Sequence, residues 1–349
     1  MSKKIFLCFT VFVTCLLCAS LTLMFPSCHL WDDIEGLRPR TSDTVPSVPI
    51  WPMEMVRLDG GTFVMGLQPG LYGDDEAKQW DSTLSPFYIG KYEVTQGQYR
   101  EVMGTNPSQI IQDTGQSNPE WDRLPVDTVN WFDAIIFCNR LSVQEGLRPV
   151  YQMNVSAEFP FVMVWETDPD RWLAVWGPTT DSRWREHANF RIITNADGYR
   201  LPTEAQWEYA CRAETTGLYN VDFSSITSLV NYFGSVYPDV PVPLPPRPPV
   251  GEPSLGTMPV GSFPPNAWGL YDMHGNVAEW VWDRFGNYPA GPLTDWFAPG
   301  FNATERVHRG GGWSDGAVAI ASGYRSSIEP WYKNNAIGFR VARLAENAE

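Results

Sequence analysis

Cysteine is scarce outside the first stretch of the chain. Of six cysteines, Cys8, Cys15 and Cys18 lie in an apolar N-terminal segment and Cys28 closes it, so the remainder holds only Cys138 and Cys211. Two thiols cannot make a disulfide scaffold; they form one bridge or stay as two separate thiols. Histidine is scarcer still, with His29, His187, His274 and His308 the full complement. No Lys/Arg cluster occurs beyond the N-terminus, and the formal charge of −15 has the wrong sign for a nucleic-acid binder, so nucleic acid is excluded as a partner. Such an acidic surface mainly keeps a protein soluble and only weakly favours divalent cations. No internal repeat is present, which excludes a solenoid or propeller.

What is present is globular and rich in rings and breakers. The 349 residues are 43% hydrophobic and 19% charged, with Trp 16, Tyr 14, Phe 18, Pro 30 and Gly 29. That balance favours a loop-rich fold over a helical bundle, and the length fits one large or two small domains.

The N-terminus reads as a targeting segment over residues 1–28. Lys3 and Lys4 precede an almost wholly apolar run from Ile5 to Phe25, long enough to span a bilayer as a helix, which needs roughly 20 residues. It is longer than the ordinary signal h-region of roughly 7–15 residues. The small Ser27 before Cys28 resembles a relaxed lipoprotein cleavage site, which would make Cys28 the lipidated N-terminus. An uncleaved signal anchor and plain secretion are the alternatives. Each places the body on the extracytoplasmic side of the cell envelope, held to the membrane in the first two cases. Residues 29–50, with Pro39, Pro46 and Pro49, read as a tether.

Ordered patterning runs over 51–345. Residues 55–66 predict two short strands around a Gly60-Gly61 turn. Another strand covers 87–94. Thr95 and Gln98 form a capping box opening a helix through Met103, and Thr203 and Gln206 form a second. Apolar residues at 131, 135, 138 and 141 after Asn130 make a helical stripe, so Cys138 and Cys211, both on such stripes, are expected to be buried and inert. Residues 150–195, aromatic and charged without a clear period, and the proline-rich 237–253 read as insertions.

Seven blocks then occur in order. They are Gly60–Gly66 (GGTFVMG), Tyr92–Thr95 (YEVT), Leu124–Asp127 (LPVD) with Val129-Asn130-Trp131, Tyr199–Ala210 (YRLPTEAQWEYA), Asn266–Trp280 (NAWGLYDMHGNVAEW), Arg309–Trp313 (RGGGW) and Gly338-Phe339-Arg340. Together they resemble the formylglycine-generating enzyme, or sulfatase-modifying factor, family. The resemblance implies an irregular α+β, C-type-lectin-like domain with short strands and few helices.

Asp272 and Glu279 offer carboxylates seven residues apart, and Gly275 lets the backbone present carbonyls between them. Calcium takes about six to eight such oxygens. The resemblance implies a calcium ion held by the side chains of Asp272 and Glu279 and the backbone oxygens of Gly275 and Val277; the alternative is a capped turn with a solvated glutamate. A second calcium site of the family uses an Asn-led segment resembling Asn231-Tyr232, with further ligands near Glu252 and Ser254, where the pattern has drifted. In the family's true oxidases two cysteines follow the Arg-Gly-Gly block and bind Cu(I), which selects sulfur. Here Asp315 and Ile320 stand in that stretch and no cysteine follows Cys211, so copper is not expected. The expected function is a non-catalytic binding or scaffolding module for an extracytoplasmic peptide, protein or glycan. An oxidoreductase of the sulfatase-modifying-factor type with altered metal chemistry is the alternative. His274 is expected to pack or face solvent rather than act as a base.

Overall fold

A computed structural model describes residues 52–67, 79–109, 121–155, 164–187, 189–221, 230–232, 256–289, 291–298 and 304–345. Residues 1–28 with Cys28, the tether 29–50, and the proline-rich 237–253 lie outside the described residues. Among those described, no helix is long and apolar enough to cross a membrane.

Five α-helices are described: α1 (Gln96–Met103), α2 (Trp131–Gln144), α3 (Pro169–Trp176), α4 (Ser182–His187) and α5 (Glu204–Arg212). Both expected capping boxes form. The Thr95 hydroxyl accepts from the Gln98 amide at 3.2 Å while the Gln98 side chain accepts from the Thr95 amide at 3.0 Å, and Thr203 and Gln206 repeat this at α5. Each pair satisfies two amides that the first turn leaves without helical partners. Asn130 and Asp133 build a third box at α2. On α2 the stripe Trp131, Ile135, Cys138 and Leu141 is buried.

The strands are short and their partners distant. β1 (Met55–Leu58), β4 (Phe87–Gly90) and β13 (Ala342–Leu344) make one antiparallel sheet in which Val56 and Ala342 both pair with Ile89. β2 (Gly61–Met65) pairs with β3 (Trp80–Leu84), and β9 (Leu293–Thr294) runs parallel to β3. The two strands expected around Gly60-Gly61 therefore form, but not with each other. Gly60, at φ 75°, turns the chain from one sheet to the next, and a Cβ there would lie 2.2 Å from the Leu84 carbonyl oxygen.

Within the expected insertion 150–195, the described residues form a small sheet of β5 (Tyr151–Asn154) with β6 (Trp165–Glu166) and β7 (Phe190–Ile192), together with α3 and α4. Tyr151, Met153, Trp172 and Trp184 from this segment join the apolar cluster around α2.

β8 (Ala278–Arg284) is an inner strand of a four-stranded sheet. It lies between β10 (Arg306–Arg309) and β12 (Ile337–Gly338), with β11 (Ser326–Ile328) beyond β10. Successive side chains of a strand face opposite ways. Ala278, Trp280 and Trp282 enter the α2 cluster, whereas Val281 enters a second cluster with Trp207, Ala210 and Cys211 of α5. By the same alternation Glu279 and Asp283 are buried on the α5 side. Five tryptophans are under 2% exposed: Trp131, Trp172, Trp184, Trp207 and Trp280. Each removes on the order of 200 Å² from water, roughly 5 kcal/mol of transfer free energy. This ring-filled core, rather than helix propensity, holds the short elements in place.

Candidate functional site

The segment 266–279 is shaped by its own side chains. The side-chain Oδ1 of Asn266 accepts from the amides of Trp268 (3.0 Å) and Leu270 (3.1 Å), closing a turn before Asp272. Asp272, Gly275 and Asn276 then take left-handed conformations, at φ 54°, 80° and 63°. Glycine is required at 275, because a Cβ would lie 2.2 Å from the Asn231 carbonyl oxygen. That close approach lets Asn231 accept from the Asn276 amide at 2.8 Å. The Asn231 side chain in turn donates to Asn276 Oδ1 and to the Gly256 carbonyl, each at 3.2 Å. The two expected calcium segments are thus brought side by side. Tyr232, next along, is half-buried against Tyr219, Val230 and Ile320; Glu252 and Ser254 lie outside the described residues.

Behind this turn three carboxylates meet one guanidinium. Glu279, fully buried, accepts from Arg340 Nε at 2.6 Å, Arg340 Nη2 at 2.7 Å and Trp207 Nε1 at 2.7 Å. Arg340, also fully buried, spends its other donors on the carbonyls of Gly90 and Tyr271. Asp272 accepts from the Gly261 amide at 2.7 Å. Glu93 accepts from Asn276 Nδ2 at 2.9 Å and the Val277 amide at 3.2 Å. Burial raises the pKa of Asp272 to about 6, and burial, with the charges of Asp272 and Glu279, pushes that of Glu93 well up. Three buried carboxylates against one arginine leave negative charge that protons or a cation must offset.

These residues offer oxygen donors of the kind a hard cation takes. The carbonyl oxygens of Gly275 and Val277 accept no hydrogen bond among the described residues. Glu279 has about one lone-pair position left after its three donors, and Asp272 has an oxygen beyond the one that Gly261 occupies. That donor set is all oxygen, as calcium prefers. Side chains alone do not make the site: no group of three or more His, Cys, Asp or Glu among the described residues is placed to hold a metal ion.

The 310–322 segment packs on the same turn. Gly275 donates to the Gly310 carbonyl at 2.9 Å and Trp313 to that of Asn276 at 2.9 Å. Asp315 closes its own turn, accepting from the Gly312 amide at 2.8 Å. Ile320 is fully buried, and its carbonyl accepts from His274 Nδ1 at 2.7 Å while His274 Nε2 accepts from the Asn220 amide at 3.1 Å. With both nitrogens engaged and burial depressing its pKa to about 4, His274 is a neutral packing residue. Cys211 Sγ lies 3.8 Å from His274 Nε2, and burial pushes its thiol up to about 12. Burial raises Cys138 too. Both thiols are free and buried, in separate core clusters.

Residues 42–345 match the sulfatase-modifying factor enzyme 1-like domain. The chain belongs to this family. Chaperone protein LppX of Paenibacillus barcinonensis is 32% identical over 302 residues, covering 83% of this chain and 89% of that protein. The formylglycine-generating enzyme of Bos taurus is 28% identical over 246 residues, 66% of this chain and 58% of the enzyme, so the match spans little more than half of the bovine protein. Among solved structures, Treponema denticola variable protein 1 superposes with a TM-score of 0.64 at 29% identity, covering 83% of this chain and 95% of that one. The irregular α+β architecture is that of the family.

In this sulfatase-modifying-factor domain, Glu93, Asn276 and Arg340 complete the site around the expected Asp272 and Glu279. All three stand in the sequence blocks that mark the family, but no role was assigned to them from sequence. For Glu93 and Arg340 the available signal was a charged residue inside a largely apolar block, which must find a buried partner. A cleft of about 200 Å³ was likewise not visible in the sequence; it is lined by Pro52, Met53, Glu54, Gly90, Tyr92, Glu93, Thr95, Gln98, Arg123 and Val260.

Proposed function

We propose that this chain is a non-catalytic, extracytoplasmic binding or scaffolding module, anchored by its N-terminus and stabilised by calcium at Asp272, Gly275, Val277 and Glu279. The carrying observation is the 312–320 segment. Where the family's oxidases place two cysteines, Asp315 caps its own turn and Ile320 is core. Neither supplies the sulfur that Cu(I) selects, and a thiol buried in apolar surroundings stays protonated and unreactive. Similarity to a protein named a chaperone supports a binding role, and the paired Asn231 and 272–279 segments support calcium as a structural ion. Asn231 and Tyr232 form the second, weaker calcium candidate. The membrane is the expected anchor surface, through Cys28 or an uncleaved helix.

One observation favours the second reading, an oxidoreductase with altered metal chemistry: Cys211 and His274 lie together beneath Ile320. Metal analysis of the purified full chain separates the two. The expected result is calcium at about one or two ions per chain, with no copper or iron. Stoichiometric copper or iron, lost in Cys211→Ser, contradicts the proposal and supports the oxidoreductase.

A further inference from the structure

Resting on the binding-module reading, we propose that Arg306, on the face of β10 that meets α2, receives a carboxylate group presented by a bound peptide. Five arginines are buried among the described residues: Arg200, Arg212, Arg306, Arg309 and Arg340. Arg212 and Arg309 meet Glu208, and Arg340 meets Glu279. Arg200 gives Nη1 to the Leu201 carbonyl and to Gln206 Oε1. Arg306 makes a single hydrogen bond, from Nη1 to the Trp282 carbonyl, and has no carboxylate within ion-pair distance among the described residues.

The remaining edge of Arg306 has the shape that a carboxylate takes. A guanidinium offers two parallel N–H groups as a fork that matches the two oxygens of a carboxylate. Arg340 shows the arrangement within this protein. Its Nη1 goes to the Gly90 carbonyl, while Nε and Nη2 hold Glu279 at 2.6 Å and 2.7 Å. Arg306 likewise commits Nη1 to a carbonyl, but its Nε and Nη2 meet no acceptor among the described residues. That edge reaches solvent. The sealed guanidinium nitrogens without a partner, among the described residues, are Nε of Arg309, Arg325 and Arg343. Arg306 is not one of them and keeps 6% of its surface exposed.

The surroundings fix the fork without balancing its charge. The Arg306 guanidinium carbon lies 3.7 Å and 5.0 Å from the ring centroids of Trp131 and Trp282, a stacking that holds the plane but supplies no counter-ion. Arg284 stands directly opposite on β8, and like charges so placed repel. Burial, and then Arg284, push the Arg306 pKa well down. A guanidinium starts above about 12 and keeps its proton, so the depression reflects a charge that lacks an offset. Asp283 attracts Arg306 only at longer range, its two oxygens accepting the amides of Glu204 and Ala298. Arg284 has an interaction of its own, so one unpaired charge remains, which a monoanion such as a carboxylate balances. On the same face, His308 and Ser326 form a cross-strand pair beside Arg306. They and Arg284 are half-buried, so a ligand approaches from their side.

The test is calorimetric titration of the full-length protein in detergent. The probes are acetyl-Gly-Glu-Gly-amide, its glutamine and phosphoserine analogues, and acetyl-Gly-Gly with a free chain end. A carboxylate peptide is expected to bind about tenfold or more tighter than the glutamine peptide. Whether the glutamate peptide or acetyl-Gly-Gly is the tighter identifies the source of the group, side chain or chain end. Ser326→Glu sets a carboxylate of the protein's own beside Arg306. It should weaken binding about tenfold more than the neutral, equal-sized Ser326→Gln does. Arg306→Lys, which loses the fork, should also weaken binding by about tenfold; should it not fold, the Ser326 pair decides. Equal binding of the glutamine peptide, tighter binding of the phosphoserine peptide, equal effects of Ser326→Glu and Ser326→Gln, or no binding of either carboxylate would overturn the proposal. These outcomes are independent of the non-catalytic reading, which fails on loss of sulfur from a cysteine peptide whatever carboxylate binds.

Discussion

At the scale of single residues, His274 shows how burial converts a titratable group into a packing element. Its folded pKa of about 4 lies below the ordinary 6.5, chiefly through burial, with Arg212 adding to the depression and the bond to Ile320 opposing it. The unfolded chain therefore takes up this proton first as pH falls. The contribution is fully present above about 6.5 and is lost as pH falls towards about 4, at roughly 1.4 kcal/mol per pH unit. Asp283 has the opposite sign: burial and Glu204 raise it to about 7, so its contribution is present at low pH and lost as pH rises through that value. Comparing a variant with wild type cancels Asp283 and isolates the histidine. The stability gap between wild type and His274→Gln should be largest at neutral pH and shrink by roughly 3 kcal/mol on acidification to about pH 4. Urea denaturation across that range measures it, and a constant gap would show that His274 titrates alike in the folded and the unfolded chain.

At the scale of elements, β8 carries the site because its two faces meet two different cores. Glu279 faces α5, and Arg340 from the chain between β12 and β13 reaches the same carboxylate. Removing one partner of a buried pair leaves the other charge uncompensated and costs about 3–5 kcal/mol. Glu279→Gln should lower the melting temperature for that reason. It should also remove any response to chelator, whereas chelation of wild type should lower its melting temperature, since a ligand at a hundredfold excess over its Kd contributes about 2.7 kcal/mol. Identical melting curves of wild type with and without chelator would remove calcium from the account while leaving the Arg340 pair intact.

The same elements explain what the sequence makes legible. Capping boxes and the α2 stripe are local, spanning three to eleven residues, so Thr95, Thr203 and Trp131–Leu141 read correctly. The 272–279 turn is equally local. Strand partners are not: β4 finds β13 almost at the far end of the chain, and nothing near Gly60 distinguishes a hairpin from a passage between sheets. Trp172 and Trp184 lie in the segment expected to be an insertion, where very short strands and helices give no sustained period, and the burial of both rings is not legible there. Glu93 and Arg340 escape for the same reason, their partners being set by the fold and not by spacing.

At the scale of the whole molecule, the family domain spans residues 42–345, beginning within the stretch 29–50 expected to be a tether. The expectation for residues 1–28 is a leader lipidated at Cys28. Cys28→Ala should abolish labelling by a fatty-acid analogue in cells; undiminished labelling would reject it.

The central claim is that this domain keeps the family fold without the family's oxidation of cysteine. Its most direct test is to incubate the full-length protein with Cu(I), O₂ and a cysteine-containing sulfatase peptide, and to follow the peptide by mass spectrometry. The account predicts no loss of sulfur above a protein-free control, because Asp315 and Ile320 offer no thiolate and Cys211 is protonated and buried. Conversion to formylglycine that disappears in Cys211→Ser would contradict it.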